Sequence, residues 1–171
     1  MAGQLIQVDT ETVTSAVASV TLTGIDSDDV YQLVLNNVAP ASDNVYLRIR
    51  FTESGTANST SNYDYAQKFI RANSTFLNLS GTNGDGVNIT NHTNGTGTSE
   101  TTNGTFFIYN ANNSSEYTFM TTESSNVDSS NNAYGSPGGF VFTVTSAVDG
   151  VFLFYTTGNI ASGTFTLYKV V

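Results

Sequence analysis

The sequence predicts an all-β chain: an antiparallel β-sandwich of jelly-roll-like form with about ten strands. Three observations lead there. Apolar residues recur at every second position along much of the chain, the period of a strand with one face buried. The apolar runs are rich in Val, Ile, Thr, Phe and Tyr, and clusters of Gly, Asn, Asp and Ser bound them. No segment carries the helical period over a helix's length.

Taken in chain order, "QLIQV" (4–8) opens the series. Residues 1–14 are read as an N-terminal arm or an edge strand, and 15–171 as a single sandwich domain. "AVASVTLTG" (16–24) follows. In "VYQLVLNNV" (30–38) and "NVYLRIRFT" (44–52) the alternation is clean: Val45, Leu47, Ile49 and Phe51 share one face, Tyr46, Arg48 and Arg50 the other. Pro40, Ser42, Asp43 and Asn44 between them favour a turn, so a hairpin is expected. The next strands are "YDYAQKFIRA" (63–72), "TFLNLS" (75–80), "TFFIYN" (105–110), "EYTFMTTE" (116–123) and "GFVFTVT" (139–145). "GVFLFYTT" (150–157) is apolar on both faces, as a central strand would be, and "GTFTLYKVV" (163–171) closes the series.

Between 88 and 105 lies "NITNHTNGTGTSETTNGT", without aromatic residues and without period. A domain boundary here would leave a C-terminal piece too small to bury an adequate core. It is therefore read as an exposed excursion between two strands of one body, longer than loops usually are. The polar stretch 123–139 is its later counterpart.

Composition narrows the function. Charged residues are 11% of the chain and the net charge is −9, with five cations in all. Nucleic acid and anionic membranes need clustered cations, so neither is an expected partner. The chain has no cysteine, which removes disulfides, thiolate metal sites and a Cys nucleophile. The N-terminus shows no basic and apolar leader, so synthesis in a cytoplasm without a signal peptide is expected. Without secretion, the Asn-x-Ser/Thr triplets, such as those at Asn73 and Asn78, read as products of composition.

Catalytic chemistry finds little support. His92, the one histidine, has neither a carboxylate nor a nucleophile beside it in sequence and reads as a solvent-facing loop residue. Of the carboxylates Asp26, Asp28, Asp29, Asp64, Asp85, Glu116, Glu123 and Asp128, none lies in an apolar run that would raise its pKa and make it a general acid. "DSDD" (26–29) lacks the spacing of a calcium loop. No catalytic residue, cofactor or metal is expected. Tyrosines such as Tyr46, Tyr117 and Tyr155 could stack on sugars, although strand tyrosines usually pack across strands. The residues expected to touch a glycan or a protein partner are Tyr63, Tyr65, Asn91, His92, Asn94 and Tyr134.

Several ordered pieces resemble a family of small β-sandwich structural proteins from the virions of tailed phages, common in marine phages and described as tail, tail-fibre or virion structural proteins. They are "ASVTLTGIDSDDVYQLVLNNVAPASDNVYLRIRFTESG", "SNYDYA", "TNGTFFIYNANNSSEYTFM" and "TTGNIASGTFTLYKVV". The resemblance spans about residues 16–171; Lys169 stands where the family usually has Gly. It implies a non-enzymatic protein of the virion surface, on a tail or fibre or as a capsid decoration. It also implies assembly with copies of itself, often as trimers, and contact with other virion proteins. A module that binds host surface glycans is the alternative expectation, and a polysaccharide-degrading enzyme a more distant one.

Overall fold

The computed structural model describes residues 3–74, 76–128 and 130–171. Met1 and Ala2 of the expected arm, Thr75 at the start of an expected strand and Ser129 in the second polar stretch lie outside the described residues. Fourteen strands form two antiparallel sheets packed against each other, with no helix among the described residues. The fold is the all-β sandwich that the alternation predicts. All eleven expected segments contain or overlap a strand, and the three additional strands, β5 (Thr56–Ala57), β8 (Val87–Asn88) and β11 (Ala133–Gly135), are two or three residues long.

The larger sheet has nine strands. From one edge they run β1 (Leu5–Val13), β14 (Ile160–Val170), β3 (Tyr31–Pro40), β9 (Thr102–Tyr109) and β10 (Thr118–Val127). The short β11 (Ala133–Gly135) and β12 (Gly138–Phe142) then share one position between β10 and β6 (Tyr63–Arg71). β7 (Leu77–Gly84) pairs with β6 alone and forms the other edge. The smaller sheet is β2 (Ser19–Thr23), β13 (Gly150–Tyr155) and β4 (Leu47–Glu53), with β5 (Thr56–Ala57) and β8 (Val87–Asn88) both on β4.

Residues 5–13 thus form an edge strand, paired with β14 from Leu5 opposite Val170 to Val13 opposite Gly163. The hairpin expected between residues 30 and 52 is not formed. β3 pairs with β14 and β9 in the larger sheet, whereas β4 pairs with β13, β5 and β8 in the smaller. Residues 41–46 carry the chain across the sandwich. The cause is that both strands turn their apolar face inward. Alternation marks the buried face of a strand but is silent on its neighbour. The crossing is tied down at both ends, because Ala41 N–H donates to the Asn159 carbonyl and Thr156 N–H to that of Tyr46. β4 and β5 are joined instead by a tight turn through Ser54 (φ 51°) and Gly55 (φ 73°), the left-handed pair that suits the twist of a hairpin.

Leu33, Leu35, Phe106, Ile108, Phe165 and Leu167 of the larger sheet face Leu22, Leu47, Ile49, Phe51, Val151 and Leu153 of the smaller in one core. At one side Phe51, Tyr63, Phe140 and Phe142 form an aromatic cluster with ring centroids 4.8–6.4 Å apart. Each fully buried side chain of this size contributes about 1.5–3 kcal/mol. β13 is central in its sheet, as its two-sided apolarity predicts. Of its outer residues, Phe154 is covered by two arginines, with the Arg50 guanidinium 4.6 Å and that of Arg48 5.7 Å from its ring, and Phe152 packs against Phe154.

Candidate interaction surface

The pleat that buries Phe106, Ile108, Met120, Phe140 and Phe142 turns the residues between them to the outer face of the larger sheet. Phe119 stands there 45% exposed, directly opposite Tyr109 on β9 and Val141 on β12. The next row is Phe107, Thr121, Gly139, Ala66 and Ser80, each opposite the next. A Cβ on Gly139 would lie 2.9 Å from the Met120 carbonyl oxygen. The sheet surface is therefore bare at that position, and a groove of about 700 Å³ opens over it. Phe119 and Val141 give it apolar walls; Asp64, Ser80, Thr82 and Thr121 give it a polar rim.

Of the six residues expected to make contacts, His92 and Tyr134 come together, ring centroids 5.8 Å apart, and Tyr65 and Asn91 border one cleft, but they form no single site. Tyr63 is fully buried; its hydroxyl accepts from Phe51 N–H at 3.0 Å and donates to the Asn58 carbonyl at 3.0 Å, and burial pushes its pKa up. Tyr134 is buried too, donating to the His92 carbonyl, and burial likewise raises its pKa. Asn94 is buried and accepts from the Thr102 hydroxyl. None of these three offers its side chain to a ligand. Tyr65 is half-buried, packs against the core and lines the groove. It also borders a cleft of about 140 Å³ with Asn91, Tyr46 and Leu79. The outward residues that sequence reading missed are Phe119, Val141 and Tyr109. The pattern of "YTFMTT" held the signal, since Phe119 must lie opposite Met120.

Segment 88–105 is not an exposed excursion. Ile89, Thr90, Asn94 and Thr102 are fully buried, and only 96–99 are exposed in its middle. Val45 and Asn94 exchange backbone hydrogen bonds, and Thr90 Oγ1 accepts from Leu47 N–H. His92 is not solvent-facing either: its ring stacks on Phe69 at 5.6 Å and 17°. Polar side chains that satisfy backbone groups bury without the apolar signature that sequence reading looks for.

Beside His92 lies Asp128, whose side chain is fully buried. Burial alone would raise its pKa. The N–H groups of Asn132 and Ser130, the Asn132 amide and the Arg71 guanidinium outweigh that and hold it below the usual carboxylate range. His92 Nδ1 is 3.8 Å from the Asp128 carboxylate and has no hydrogen-bond partner among the described residues. A carboxylate held ionised in this way is no general acid; its bonds fix the end of the β10–β11 hairpin.

Most of the other cations are paired. Arg48 and Arg50 grip the two oxygens of Asp85 at 2.8 and 2.6 Å, and the Arg48 bond, first among several effects, lowers the Asp85 pKa. Lys169 reaches Asp29 at 2.8 Å and Asp26 at 3.7 Å, and Ser27 Oγ at 2.6 Å. The hydrogen bond from Tyr31 leads in lowering Asp26, and that from Lys169 in lowering Asp29. Two of the three carboxylates of the DSDD turn thus share the chain's own ammonium group. Among the described residues no cluster of His, Asp and Glu is suited to a metal ion.

No protein-family model, no curated protein and no solved structure matches this chain. Its surface and its sequence motifs carry the functional reading.

Proposed function

We propose that the chain is a non-enzymatic structural subunit of a tailed-phage virion, displayed on the particle surface and assembling with copies of itself. The sequence motifs supply the phage context. The observation that carries the subunit reading is the outer sheet face, where Phe119, Tyr109, Val141 and Phe107 form neighbouring apolar positions next to an open groove. Aromatic residues in such rows are enriched where proteins meet. Light scattering across a concentration series tests association directly. Cryo-electron microscopy of intact particles tests the location: density on the tail or on the capsid surface supports the reading, and absence from the particle overturns it.

One observation favours a second reading, recognition of host glycans. A flat exposed ring, Phe119, stands beside the polar groups of Asp64, Ser80, Thr82 and Thr121, a combination that suits a sugar's apolar face and its hydroxyls. Binding on a glycan array that is lost in Phe119→Ala supports it. Silence of the multivalent wild-type protein on the array counts against it.

A further inference from the structure

The larger sheet has two open edges of opposite character. On β7, residues Leu77–Gly81 carry no charge, and Leu77 and the adjoining Phe76 are 52% and 61% exposed. The whole segment 65–84, covering most of the β6–β7 hairpin, contains Lys68 and Arg71 and no carboxylate, in a chain of net charge −9. Arg71 is matched by Asp128, whereas Lys68 lies 5.7 Å from the Phe76 ring and has no ion-pair partner among the described residues. The other edge, β1, carries Asp9 and Glu11, with Leu5 and Ile6 exposed at its start. Unpaired edges free of charge are templates for another strand, and native proteins usually guard them. β1 is guarded by its carboxylates and by the bulge between Gln7 and Asp9; the Leu77–Gly81 stretch of β7 has no such guard.

We infer that β7 of one copy pairs with β1 of the next, head to tail, so that one repeated contact closes both edges of the larger sheet. This rests on the self-assembly reading above and adds to its apolar face a second contact, at the sheet edges. Charge chooses the partner. Two β1 edges would set Asp9 and Glu11 against their own copies, while β1 beside β7 brings them toward the end of the hairpin that carries Lys68.

Direction agrees. Every neighbouring pair in the sheet is antiparallel. Counting β11 and β12 as one position, the path from β1 to β7 has eight positions. An even number makes β1 and β7 run in opposite directions. Copies repeated about an axis parallel to the strands then meet antiparallel, and the alternation of the sheet continues across the contact. Heterologous contacts of this kind form closed rings when the rotation closes.

The register follows from the sheet itself. One unbroken row of directly opposed residues crosses it: Gln7, Tyr168, Gln32, Phe107, Thr121, Gly139, Ala66, Ser80. Continued into the next copy, the row sets Ser80 to face Gln7. Leu77–Leu79 then lie beside Val8–Thr10. Both ends of the row are exposed.

The chain has no cysteine of its own, so engineered ones report cleanly. Gln7→Cys and Ser80→Cys are made as separate full-length proteins, mixed, and oxidised or treated with a short bis-maleimide. Asn78→Glu/Ser80→Glu, which sets carboxylates against Asp9 and Glu11 of the next copy, is weighed by light scattering, with circular dichroism and melting to show that it folds. The inference expects covalent dimers in the mixture and none in either protein alone, and at least a tenfold weaker association of the glutamate variant. Dimers of Ser80→Cys with itself would show two-fold β7 pairing and overturn it. Oligomers that neither cross-link nor respond to the glutamates would overturn the contact and leave self-assembly standing. A wild-type chain monomeric at every concentration would overturn both.

Discussion

Replacing Asp128 with Ala should be among the most damaging single changes in the protein. The carboxylate is fully buried and accepts from Ser130 N–H at 2.8 Å, from Asn132 N–H at 2.9 Å and from the Arg71 guanidinium. Its removal leaves a half-buried cation and two backbone donors without their acceptor. Breaking a buried pair from one side costs about 3–5 kcal/mol, a large part of the ~5–15 kcal/mol that a domain has in all. At roughly 2–4 °C per kcal/mol for a chain of this size, the melting temperature should fall on the order of 10 °C at pH 7. Asp128→Asn keeps one acceptor and should cost less. The pH dependence separates this from simple loss of packing. The folded pKa of Asp128 is depressed, so its contribution is complete above the unfolded value of about 4 and is lost as pH falls through the lower folded value. The gap in melting temperature between wild type and Asp128→Asn should be constant from neutral pH to about pH 5 and shrink below about pH 4. Differential scanning calorimetry at several pH values measures both. A loss of under about 1 °C in Asp128→Ala, or a gap unchanged at pH 2, would refute the reasoning.

Tyr63→Phe leaves Phe51 N–H buried without its acceptor and should cost about 1–3 kcal/mol in urea unfolding, with an unchanged m-value. Lys169→Gly removes the ammonium beside Asp26 and Asp29; both carboxyl pKa values should rise toward ordinary values, read by NMR titration of the side-chain carbonyls. Arg50→Ala strips the cover from Phe154 and one of the two grips on Asp85. It should destabilise by about 1–2 kcal/mol, partly through lost packing, so that added salt does not reproduce the full effect. Phe119→Glu places a charge in the apolar row and should weaken self-association at least tenfold in light scattering, while the melting temperature moves by less than about 2 °C, as suits an exposed position.

Strands were legible because burial of one face imposes a period of two, and "NVYLRIRFT" or "EYTFMTTE" can be read no other way. Which strands are neighbours was not legible. Residues 30–38 and 45–52 each present an apolar face, and only the three-dimensional partners, β14 and β9 for one and β13 for the other, show that they belong to different sheets. The segment 88–105 was misread because hydrogen bonding buries it. Thr90, Asn94 and Thr102 reach the interior by satisfying backbone or one another, and composition records them only as polar. The surface was partly legible. Tyrosines drew attention as sugar platforms, yet Tyr63 and Tyr134 point inward and Phe119 outward, which the parity of each residue within its strand already determined.

The position of β14 has a consequence for how the protein is made. It lies between β1 and β3, so residues 160–170, made after the other thirteen strands, are the ones that join the first strand to the rest. Until they emerge, Leu5–Val13 has no strand to pair with and the inner edge of β3 is bare. Bringing residue 5 beside residue 170 also closes everything between them into one loop, and contacts so distant in sequence slow folding. A nascent chain of this protein therefore waits for this eleven-residue strand with two adhesive edges exposed. Within a polysome, where identical nascent chains crowd together, that interval is when mispairing between neighbours competes with correct closure.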